Sequence, residues 1–410
     1  MARTTDELPK GMRITDHISL GVIAKAFPRD AVNGALERAD KASKRQRELP
    51  AHVVVYYVIA LALYMNSSCK EVLRCLLEGL RWLSGPETVI KVTGTSGISQ
   101  ARERLGSEVM ERLHDELVRP IAQKSGKKTT RGAWYGKWRL VSIDGSTLDV
   151  ADVKANDEVF GRPRGSGEKS AFPQVRFVSL VENGTHVLFG TRMAGCNTGE
   201  ITLSKEVIRF LGKDMLCMAD RGFFSYALWR EAGGAAGELL WRVKKNMNLP
   251  CMKRFRDGSW LSRVYASDKD RHHDRNGLDV RVIAYTLDGM PGAEPLYRLI
   301  TTMLDPAEAP AKELAALYHE RWEIENAFDE FKTHLRGGKI VLRSKRPDLV
   351  RQEFYGFLMA HFAIRGLMHE AALKADEDPD KLSYIHTVRV VRRKMAAAVA
   401  ISPQQAQSLS

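Results

Sequence analysis

Apolar residues recur at helical spacing through the first part of the chain. The uninterrupted apolar run Val53–Met65 predicts a buried helix, and Ser68 with Glu71 has the spacing of a capping box at the start of the next helix. A later short helix, which we interpret as an exposed unit, carries Arg102 and Arg104. Short helices with basic tips are typical of helix-turn-helix DNA-binding domains, although a helical domain that only packs fits the same pattern.

The apolar period changes after a polar linker. The segment "WRLVSID" predicts a strand that ends at Asp144, and the continuous apolar run "DMLCMAD" predicts a covered strand that ends at Asp220. Short strands separated by turns follow, and helical spacing then resumes. The pattern therefore predicts a mixed α/β fold preceded by an all-α N-terminal domain.

This pattern also divides the chain into segments. A helical N-terminal domain comes first, two stretches of an α/β core flank a β-rich insertion, and a basic segment lies at the C-terminus. The predicted bounds, in that order, are 1–125, 134–225, 226–305, 306–375 and 376–410.

The charge balance favours a polyanionic partner. The chain has 63 Lys and Arg residues against 50 Asp and Glu residues, which gives a net charge of +13, and its pI is about 9.5. Nucleic acid is the first partner that such a charge favours and an anionic membrane is the second. A merely soluble basic protein fits the composition equally well.

The cysteines and the lack of long apolar runs predict a cytoplasmic location. The chain has five scattered cysteines without a C-x-x-C pair, which argues against a disulfide framework and a zinc site and favours a reducing compartment. The N-terminus lacks the apolar segment of an export signal, and Val53–Met65 is too short to span a membrane. We therefore expect no membrane partner.

One predicted helix, "YHERWEIENAFDEFKTHL", concentrates charged residues on one face. At about 100° per residue, Tyr318, Arg321, Glu325 and Lys332 share a face about 60° wide, beside an apolar stripe. Ordinary surface pairs at i,i+4 spacing explain such a face, and so does an acid held among groups that bind phosphate.

The other acids of this helix occupy different positions. Glu323 and Glu330 fall on the far side of the helix, so we interpret them as solvated charges and expect Glu323→Ala to have little effect. Asp329 is the other acid near the charged face. Helical geometry therefore favours Glu325 as the functional acid.

Asp144 and Asp220 supply partners for Glu325. Aspartates at the carboxyl ends of neighbouring strands point into the crevice in which α/β sheets bind ligands. Each has an ordinary alternative, since Asp-Gly is a common turn and Asp220 can cap a helix. Together, the three acids of a basic protein fit a carboxylate cage for two Mg²⁺ ions, which lie about 3.5–4 Å apart in sites of displacement at phosphorus.

Three stretches of the sequence resemble the catalytic blocks of the DD(E) transposases of the insertion-sequence-four family. They are "IDGST", "ADRGFFS" and "YHERWEIENAFDEFK", and the third matches the Y-x2-R-x3-E-x6-K signature of that family. The resemblance implies an RNase H-like core in which Asp144, Asp220 and Glu325 are the catalytic, metal-binding acids. It also implies two Mg²⁺ ions as cofactors, for which Mn²⁺ can substitute.

The resemblance further implies a reaction and its partners. It implies cut-and-paste transposition through a hairpin, on terminal inverted repeats and target DNA, by a synaptic homodimer in a prokaryotic, nucleoid-associated location. By the same resemblance, Tyr318, Arg321 and Lys332 would contact DNA near the cleaved end. Related enzymes stack a flipped base on an aromatic residue of the insertion, and the corresponding segment "PLYRLIT" has Tyr297 in place of tryptophan.

Other basic residues fit a track for the DNA backbone. They are Lys244 and Lys245 in the insertion and Arg343 and Lys345 in "LRSKRP". Basic side chains that contact phosphates add salt-dependent affinity without reading sequence. Each of these residues fits a solvated surface charge equally well.

The leading hypothesis from the sequence is a DDE transposase. A nuclease of the same superfamily that cuts DNA without strand transfer stays open, and so does a non-catalytic DNA-binding repressor derived from a transposase. The presence of all three acids and of both flanking segments favours the active enzyme.

Overall fold

The computed structural model describes residues 18–43, 49–65, 67–84, 95–125, 129–163, 172–286, 295–335 and 341–400. Its α-helices are α1 (Ile18–Ala26), α2 (Arg29–Arg38), α3 (Ala51–Leu63), α4 (Cys69–Ser84), α5 (Thr95–Leu105), α6 (Glu108–Leu117), α7 (Lys154–Phe160), α8 (Glu200–Val207), α9 (Tyr226–Ala235), α10 (Asp268–His272), α11 (Ala311–His319), α12 (Glu323–Asp329), α13 (Pro347–Ala375) and α14 (Tyr384–Ala400). Its strands are β1 (Trp134–Tyr135), β2 (Trp138–Asp149), β3 (Gln174–Glu182), β4 (Val187–Gly195), β5 (Met215–Ala219), β6 (Glu238–Arg242), β7 (Lys253–Arg254), β8 (Trp260–Val264), β9 (Leu278–Tyr285) and β10 (Tyr297–Thr301). Short 3-10 turns cover Ile208–Phe210, Glu320–Trp322 and Pro379–Lys381, and a π-helical turn covers Glu330–Leu335.

The chain forms two compact units. The first, which we call the helical unit, comprises Met1–Val118, Asp329–Ala371 and Leu382–Ser410, and the second, which we call the sheet unit, comprises Arg119–Phe328 and Ala372–Lys381. The domain bounds derived from the sequence stay a prediction. Over the ranges that the structure describes, none of the helices is long and apolar enough to cross a membrane.

α3 is the packing centre of the helical unit. Every residue from Val53 to Leu63 is buried, as the apolar run predicts, and the Tyr56 hydroxyl donates a hydrogen bond to the Phe27 carbonyl oxygen at 2.8 Å. The backbone of α13 comes close to α3, because a Cβ on Gly356 would lie 2.7 Å from the Val58 carbonyl oxygen. A helix that is apolar on all sides is stable only when it is enclosed, and α3 meets that condition.

Arg102 is buried in the helical unit, which corrects the prediction that it is exposed. Its guanidinium donates hydrogen bonds to the Gln352 side chain, the Ser344 hydroxyl and the Leu349 carbonyl oxygen at 2.9–3.2 Å. These partners lie more than 240 residues away in the sequence, so helical periodicity could not reveal them. Arg104, on the same helix, is exposed as predicted.

The strands of the sheet unit form one mixed sheet. Over the described residues it has ten strands in the order β4-β3-β2-β5-β6-β10-β9-β8-β7, with β1 paired to β2. β3 lies antiparallel between β2 and β4, while β5 and β6 run parallel to β2. This is the strand order of an RNase H-like core, so the predicted fold class is confirmed.

The β-rich segment continues the same sheet. Glu238–Arg242, which lies within the predicted β-rich insertion, is β6 and pairs in parallel with β5. β10 then pairs antiparallel to β6, and β9, β8 and β7 follow in turn. The segment is therefore hydrogen-bonded to the core as an extension of the sheet.

α11 and α12 pack on the sheet and carry the signature residues. Tyr318 of α11 is buried in an apolar cluster with strand residues that include Leu216 and Leu240. Phe328 of α12 packs edge-to-face against Phe177 of β3, with ring centroids 5.3 Å apart. Burial of a large apolar side chain stabilises the fold by about 1.5–3 kcal/mol, so these contacts fix both helices on the sheet.

The turn at residues 183–186 joins β3 to β4 and contacts the segment between α11 and α12. The Asn183 side-chain amide donates to the Glu320 carbonyl oxygen at 2.8 Å, and its Oδ1 accepts from the Ser142 hydroxyl at 3.0 Å. The turn thus links the central strand β2 to the start of α12.

We expect Gly184→Ala to destabilise the protein more than Gly258→Ala. Both glycines have positive φ, 77° and 86°, so each alanine carries a left-handed backbone penalty of about 1–2 kcal/mol. A Cβ on Gly184 would also lie 2.5 Å from the Arg131 carbonyl oxygen, whereas nothing lies within 4 Å at Gly258. Overpacking adds about 1–3 kcal/mol to the loss of unfolding free energy. Chemical denaturation measures both variants, and equal losses would contradict the close approach at Gly184.

Candidate active site

Parallel pairing of β2 with β5 places Asp144 next to Asp220. The register pairs Ile143 with Ala219. Asp144 and Asp220 are the residues that directly follow this pair, so they lie side by side. The predicted end of the first strand is wrong, because β2 keeps pairing with β3 as far as Asp149. Asp144 therefore extends from the middle of a strand, at the point where its parallel neighbour β5 ends.

Asp144 is a largely buried carboxyl group with one cationic neighbour. The Gly145 N–H donates to its Oδ1 at 2.8 Å, and the Arg321 Nη1 lies 3.4 Å from its Oδ2. Burial is the main cause that raises the pKa of Asp144 to about 6; the Asp220 and Glu200 carboxylates act in the same direction, and the Gly145 N–H and Arg321 oppose it. Burial therefore outweighs the Gly145 N–H and the Arg321 guanidinium, which favour the ionised form of Asp144.

Glu200 is a further acid of this site, and sequence reasoning missed it. It begins α8, and a Cβ on Gly145 would lie 2.8 Å from the Glu200 Oε1. Gly145 therefore allows Glu200 to approach β2 beside Asp144. Acids are common in the first turn of a helix because they stabilise the helix dipole, so no sequence signal distinguishes this one.

Tyr318 is buried against the strand end that precedes Asp220. Its hydroxyl donates to the Ala219 carbonyl oxygen at 3.3 Å, and its side chain is 6% exposed. The Gly222 N–H donates to the Asp220 Oδ1 at 2.8 Å. In this structure the Tyr318 hydroxyl bonds to the end of β5, and its contact with DNA stays a prediction.

Arg321 links Asp144 to Glu325. Its Nη2 lies 4.0 Å from the Glu325 Oε1, as the i,i+4 spacing predicts, and its Nη1 faces Asp144. The Arg321 side chain is buried, whereas 51% of the Glu325 side chain is exposed. In this arrangement the guanidinium neutralises two acids of the site instead of extending outward toward DNA.

The acids of the site suit a hard divalent cation. Mg²⁺ prefers carboxylate oxygens, which Asp144, Asp220, Glu200 and Glu325 offer. A bound cation would offset the repulsion between the Asp144 carboxylate and its acidic neighbours Asp220 and Glu200. In the described part of the chain, no three of these acids have oxygens that all lie within 4.8 Å of one another. The acids therefore suit the ion chemically, and their carboxylate oxygens must move closer together to bind it.

The signature segment is not one continuous α-helix, which corrects the geometry assumed from the sequence. α11, a 3-10 turn, α12 and a π-helical turn follow one another, so a constant advance of about 100° per residue fails. Lys332 is a half-buried residue of the π-helical turn. The angles of a uniform α-helix therefore do not show that Lys332 lies on the same face as Glu325. Asp329 forms an ion pair with His334 at 3.1 Å.

Glu323 and Glu330 are buried, so the prediction of solvated charges is wrong. Each is 9% exposed. The Gly184 N–H donates to the Glu323 carboxylate, and Glu330 forms an ion pair with Arg365. A buried acid is tolerated only when partners compensate it, and these partners come from remote parts of the sequence.

The predicted DNA-contact residues outside the signature differ in exposure. Lys244, Lys245 and Lys345 are exposed. The Arg343 guanidinium donates to the Ser67 carbonyl oxygen at 2.8 Å and to two further carbonyl oxygens at or beyond the end of α3. The Arg343 guanidinium is thus bonded to carbonyl oxygens near the C-terminus of α3, and its contact with DNA stays a prediction.

Two aromatic residues near the site, Tyr297 and Trp322, have different surroundings. Tyr297 stacks on Tyr285 with ring centroids 5.3 Å apart, and Arg242 lies 4.5 Å from the Tyr297 ring centroid. Trp322 is 57% exposed and directly follows Arg321. Trp322 lies in the 3-10 turn Glu320–Trp322, so a uniform helical wheel gives no reliable signal of its exposure.

Family models match most of the chain. A model described as the insertion element 4 transposase N-terminal domain matches residues 17–115, and a model described as the transposase DDE domain matches residues 136–363. The second match contains Asp144, Asp220 and Glu325.

Individual relatives agree with the family models. The transposase InsG for insertion sequence element IS4 of Escherichia coli (strain K12) is 27% identical over 384 residues, which cover 91% of this chain and 82% of the relative. The putative transposase InsZ of the same strain is 25% identical over 50% of this chain and 65% of its own length. A cryo-EM structure of the piggyBac transposase synaptic complex with hairpin DNA aligns with 95% of this chain and 84% of its own, at 11% identity and a TM-score of 0.44.

We expect Glu200→Gln to lower the pKa of Asp144 from its value of about 6, because it removes a carboxylate that raises this pKa and keeps the side-chain size. NMR titration of protein labelled with ¹³C at the aspartate carboxyl carbons measures the change. Glu206→Gln is the matched control, since Glu206 lies on the same helix and pairs with Arg209 and Arg192. An Asp144 pKa that stays the same in both variants would exclude Glu200 from the site.

Proposed function

We propose, because this chain belongs to the DDE transposases of the insertion-sequence-four family, that it cuts DNA at insertion-sequence ends and transfers the freed strands to target DNA. In the proposed cut-and-paste reaction, water first cleaves one strand at the element end. The 3′-OH that is freed then attacks the opposite strand to form a hairpin, the hairpin is opened again, and the 3′-OH attacks the target.

The juxtaposition of Asp144 with Asp220 is the observation that carries this proposal. The Ile143–Ala219 register brings the two aspartates side by side, and Arg321 joins Asp144 to Glu325 through ion pairs at 3.4 and 4.0 Å. This arrangement supports assigning Asp144, Asp220 and Glu325 as the catalytic acids.

The same three acids would hold two Mg²⁺ ions, for which Mn²⁺ can substitute. When bound, the ions activate the attacking oxygen and stabilise the leaving oxygen in an in-line displacement at phosphorus. The chain itself supplies the negative charge and its placement. The Gly145 N–H orients Asp144, and Arg321 keeps Asp144 and Glu325 close together while both are ionised.

Basic and aromatic side chains would hold the DNA. Lys244, Lys245 and Lys345 are exposed and free of the structural bonds that occupy Arg343, so they suit contacts with phosphates; Lys332 of the signature stays a proposed contact at the cleaved end. The exposed ring of Trp322 suits stacking with a base, an interaction worth about 1–3 kcal/mol per base.

We further propose that the active assembly is a homodimer. Cut-and-paste transposition joins both ends of an element to one target, so two active sites must act together on two terminal inverted repeats. One chain carries one set of the three acids, and a synaptic pair of chains supplies the second.

We expect Glu325→Gln to abolish Mg²⁺-dependent cleavage of DNA that carries the element end, while DNA binding stays nearly unchanged. Loss of a metal-binding carboxylate removes several kcal/mol of transition-state stabilisation, which corresponds to a rate loss of at least about 100-fold. The assay resolves nicked, hairpin and strand-transfer products on a gel. Glu308→Gln is the control, because Glu308 is exposed and pairs with Lys137.

Two outcomes of this assay would change the proposal. A Glu325→Gln protein that still cuts and joins ends would overturn the assignment of the acid. Nicked DNA without strand-transfer products in the unsubstituted protein would favour a nuclease, and binding without any cleavage would favour a repressor.

We expect the double variant Lys244→Ala/Lys245→Ala to bind DNA more weakly and with a smaller salt dependence. Each lost phosphate contact lowers the slope of log K against log salt by about 1. Fluorescence anisotropy at several salt concentrations measures this slope. Lys25→Ala serves as the control, since Lys25 pairs with Glu370 at 2.5 Å; an unchanged slope in the double variant would remove both lysines from the DNA track.

A further inference from the structure

His186, Glu323 and Asp380 bring three possible metal ligands together in the sheet unit. One ligand atom from each lies within 4.8 Å of the other two. The His186 Nε2 is 3.1 Å from the Asp380 Oδ1 and 3.8 Å from the Glu323 Oε2. His186 and Glu323 are buried, whereas 31% of the Asp380 side chain is exposed, so the group is open to solvent on one side.

These distances suit a single small cation. Zn²⁺ binds histidine nitrogen at about 2.0–2.1 Å and carboxylate oxygen at about 2.0–2.2 Å. Two such ligands of one tetrahedral ion are about 3.4 Å apart. The measured separations of 3.1 and 3.8 Å lie on either side of that value, so small side-chain movements are enough to place one ion among the three residues.

We propose that His186, Glu323 and Asp380 form a binding site for one divalent cation of the Zn²⁺ type. The site is separate from the candidate active-site acids, which are absent from this group of ligand atoms. The imidazole nitrogen favours Zn²⁺ and related transition metals over Mg²⁺, because Mg²⁺ prefers oxygen ligands.

The surroundings of the three residues support this proposal. The Gly184 N–H donates to the Glu323 Oε2, which is the kind of outer hydrogen bond that orients a ligating carboxylate. The Glu323 and Asp380 carboxylates offer ligand oxygens within 4.8 Å of each other beside the His186 imidazole, and a cation placed between two acids this close offsets their mutual repulsion. His186 has φ 56°, an uncommon backbone conformation for a non-glycine residue, and it directs the ring toward both acids.

A cation at this position would cross-link three segments that are distant in sequence. His186 belongs to the β3–β4 turn, Glu323 begins α12, and Asp380 lies in the 3-10 turn Pro379–Lys381. The ion would therefore hold the helix that presents Glu325 two residues later. The effect of the ion on the placement of Glu325 matters only if the proposed function is correct. Binding of the cation to His186, Glu323 and Asp380 does not depend on that function.

The test measures Zn²⁺ binding to the full-length chain without DNA. Isothermal titration calorimetry and metal analysis after dialysis compare the unsubstituted protein with His186→Asn and Asp380→Asn. Asparagine suits position 186 because it tolerates positive φ. We expect one tight Zn²⁺ equivalent per chain in the unsubstituted protein and at least about a tenfold loss of affinity in each variant.

Two controls separate this site from other causes of Zn²⁺ binding. Glu377→Gln makes the same charge change as Asp380→Asn in the same segment, but Glu377 pairs with Lys381 on the surface, so it should keep the tight equivalent. Glu325→Gln should also keep it, because the proposed site does not use the active-site acids. Bound Zn²⁺ should raise the melting temperature of both controls and leave those of His186→Asn and Asp380→Asn nearly unchanged.

Several outcomes would overturn the proposal. They are the absence of a saturable Zn²⁺ equivalent in the unsubstituted protein, unchanged affinity in Asp380→Asn, or loss of the equivalent in Glu325→Gln. Circular dichroism identifies a variant that fails to fold, and the partly exposed Asp380 provides a test that does not depend on the buried position 186.

Discussion

The register between β2 and β5 is the constraint on which the candidate active site depends. β2 lies between β3 and β5, and Leu140, Val141 and Ile143 are buried. A slip of one residue would turn every side chain of the strand to the opposite face of the sheet, which would change the packing partners of these buried residues and misplace Asp144. The apolar residues of β2 therefore determine the direction in which the Asp144 side chain points, although they take no part in the chemistry.

The charge of the site is opposite to the charge of the chain as a whole. The protein carries a net charge of +13, yet Asp144 has Asp220 and Glu200 as acidic neighbours and Arg321 as its cationic partner. Exposed lysines can attract a polyanion over a distance, while the acids repel its phosphates at close range unless cations are bound. Under the proposed function, such a distribution would make productive binding of DNA depend on bound cations as well as on the lysines.

Sequence reasoning was reliable where a signal is local and failed where a partner is remote. The buried run of α3, the strands before Asp144 and Asp220, and the proximity of Arg321 to Glu325 follow from periodicity and short spacing, and the structure has them. Glu323 and Glu330 were misjudged because their partners come from elsewhere in the chain. A helical wheel also assumes one uniform helix, and the 3-10 and π-helical turns of the signature segment break that assumption.

The extension of the sheet beyond β6 has a consequence for the architecture of the protein. β10 is hydrogen-bonded to β6 on the side away from β5, so the β-rich segment covers what would otherwise be the edge of the core sheet. A shortened chain without residues 253–301 would leave the N–H and C=O groups of β6 unpaired, and such an edge can pair with another chain and aggregate. The segment therefore covers an edge of the core sheet that would otherwise be able to pair with another chain.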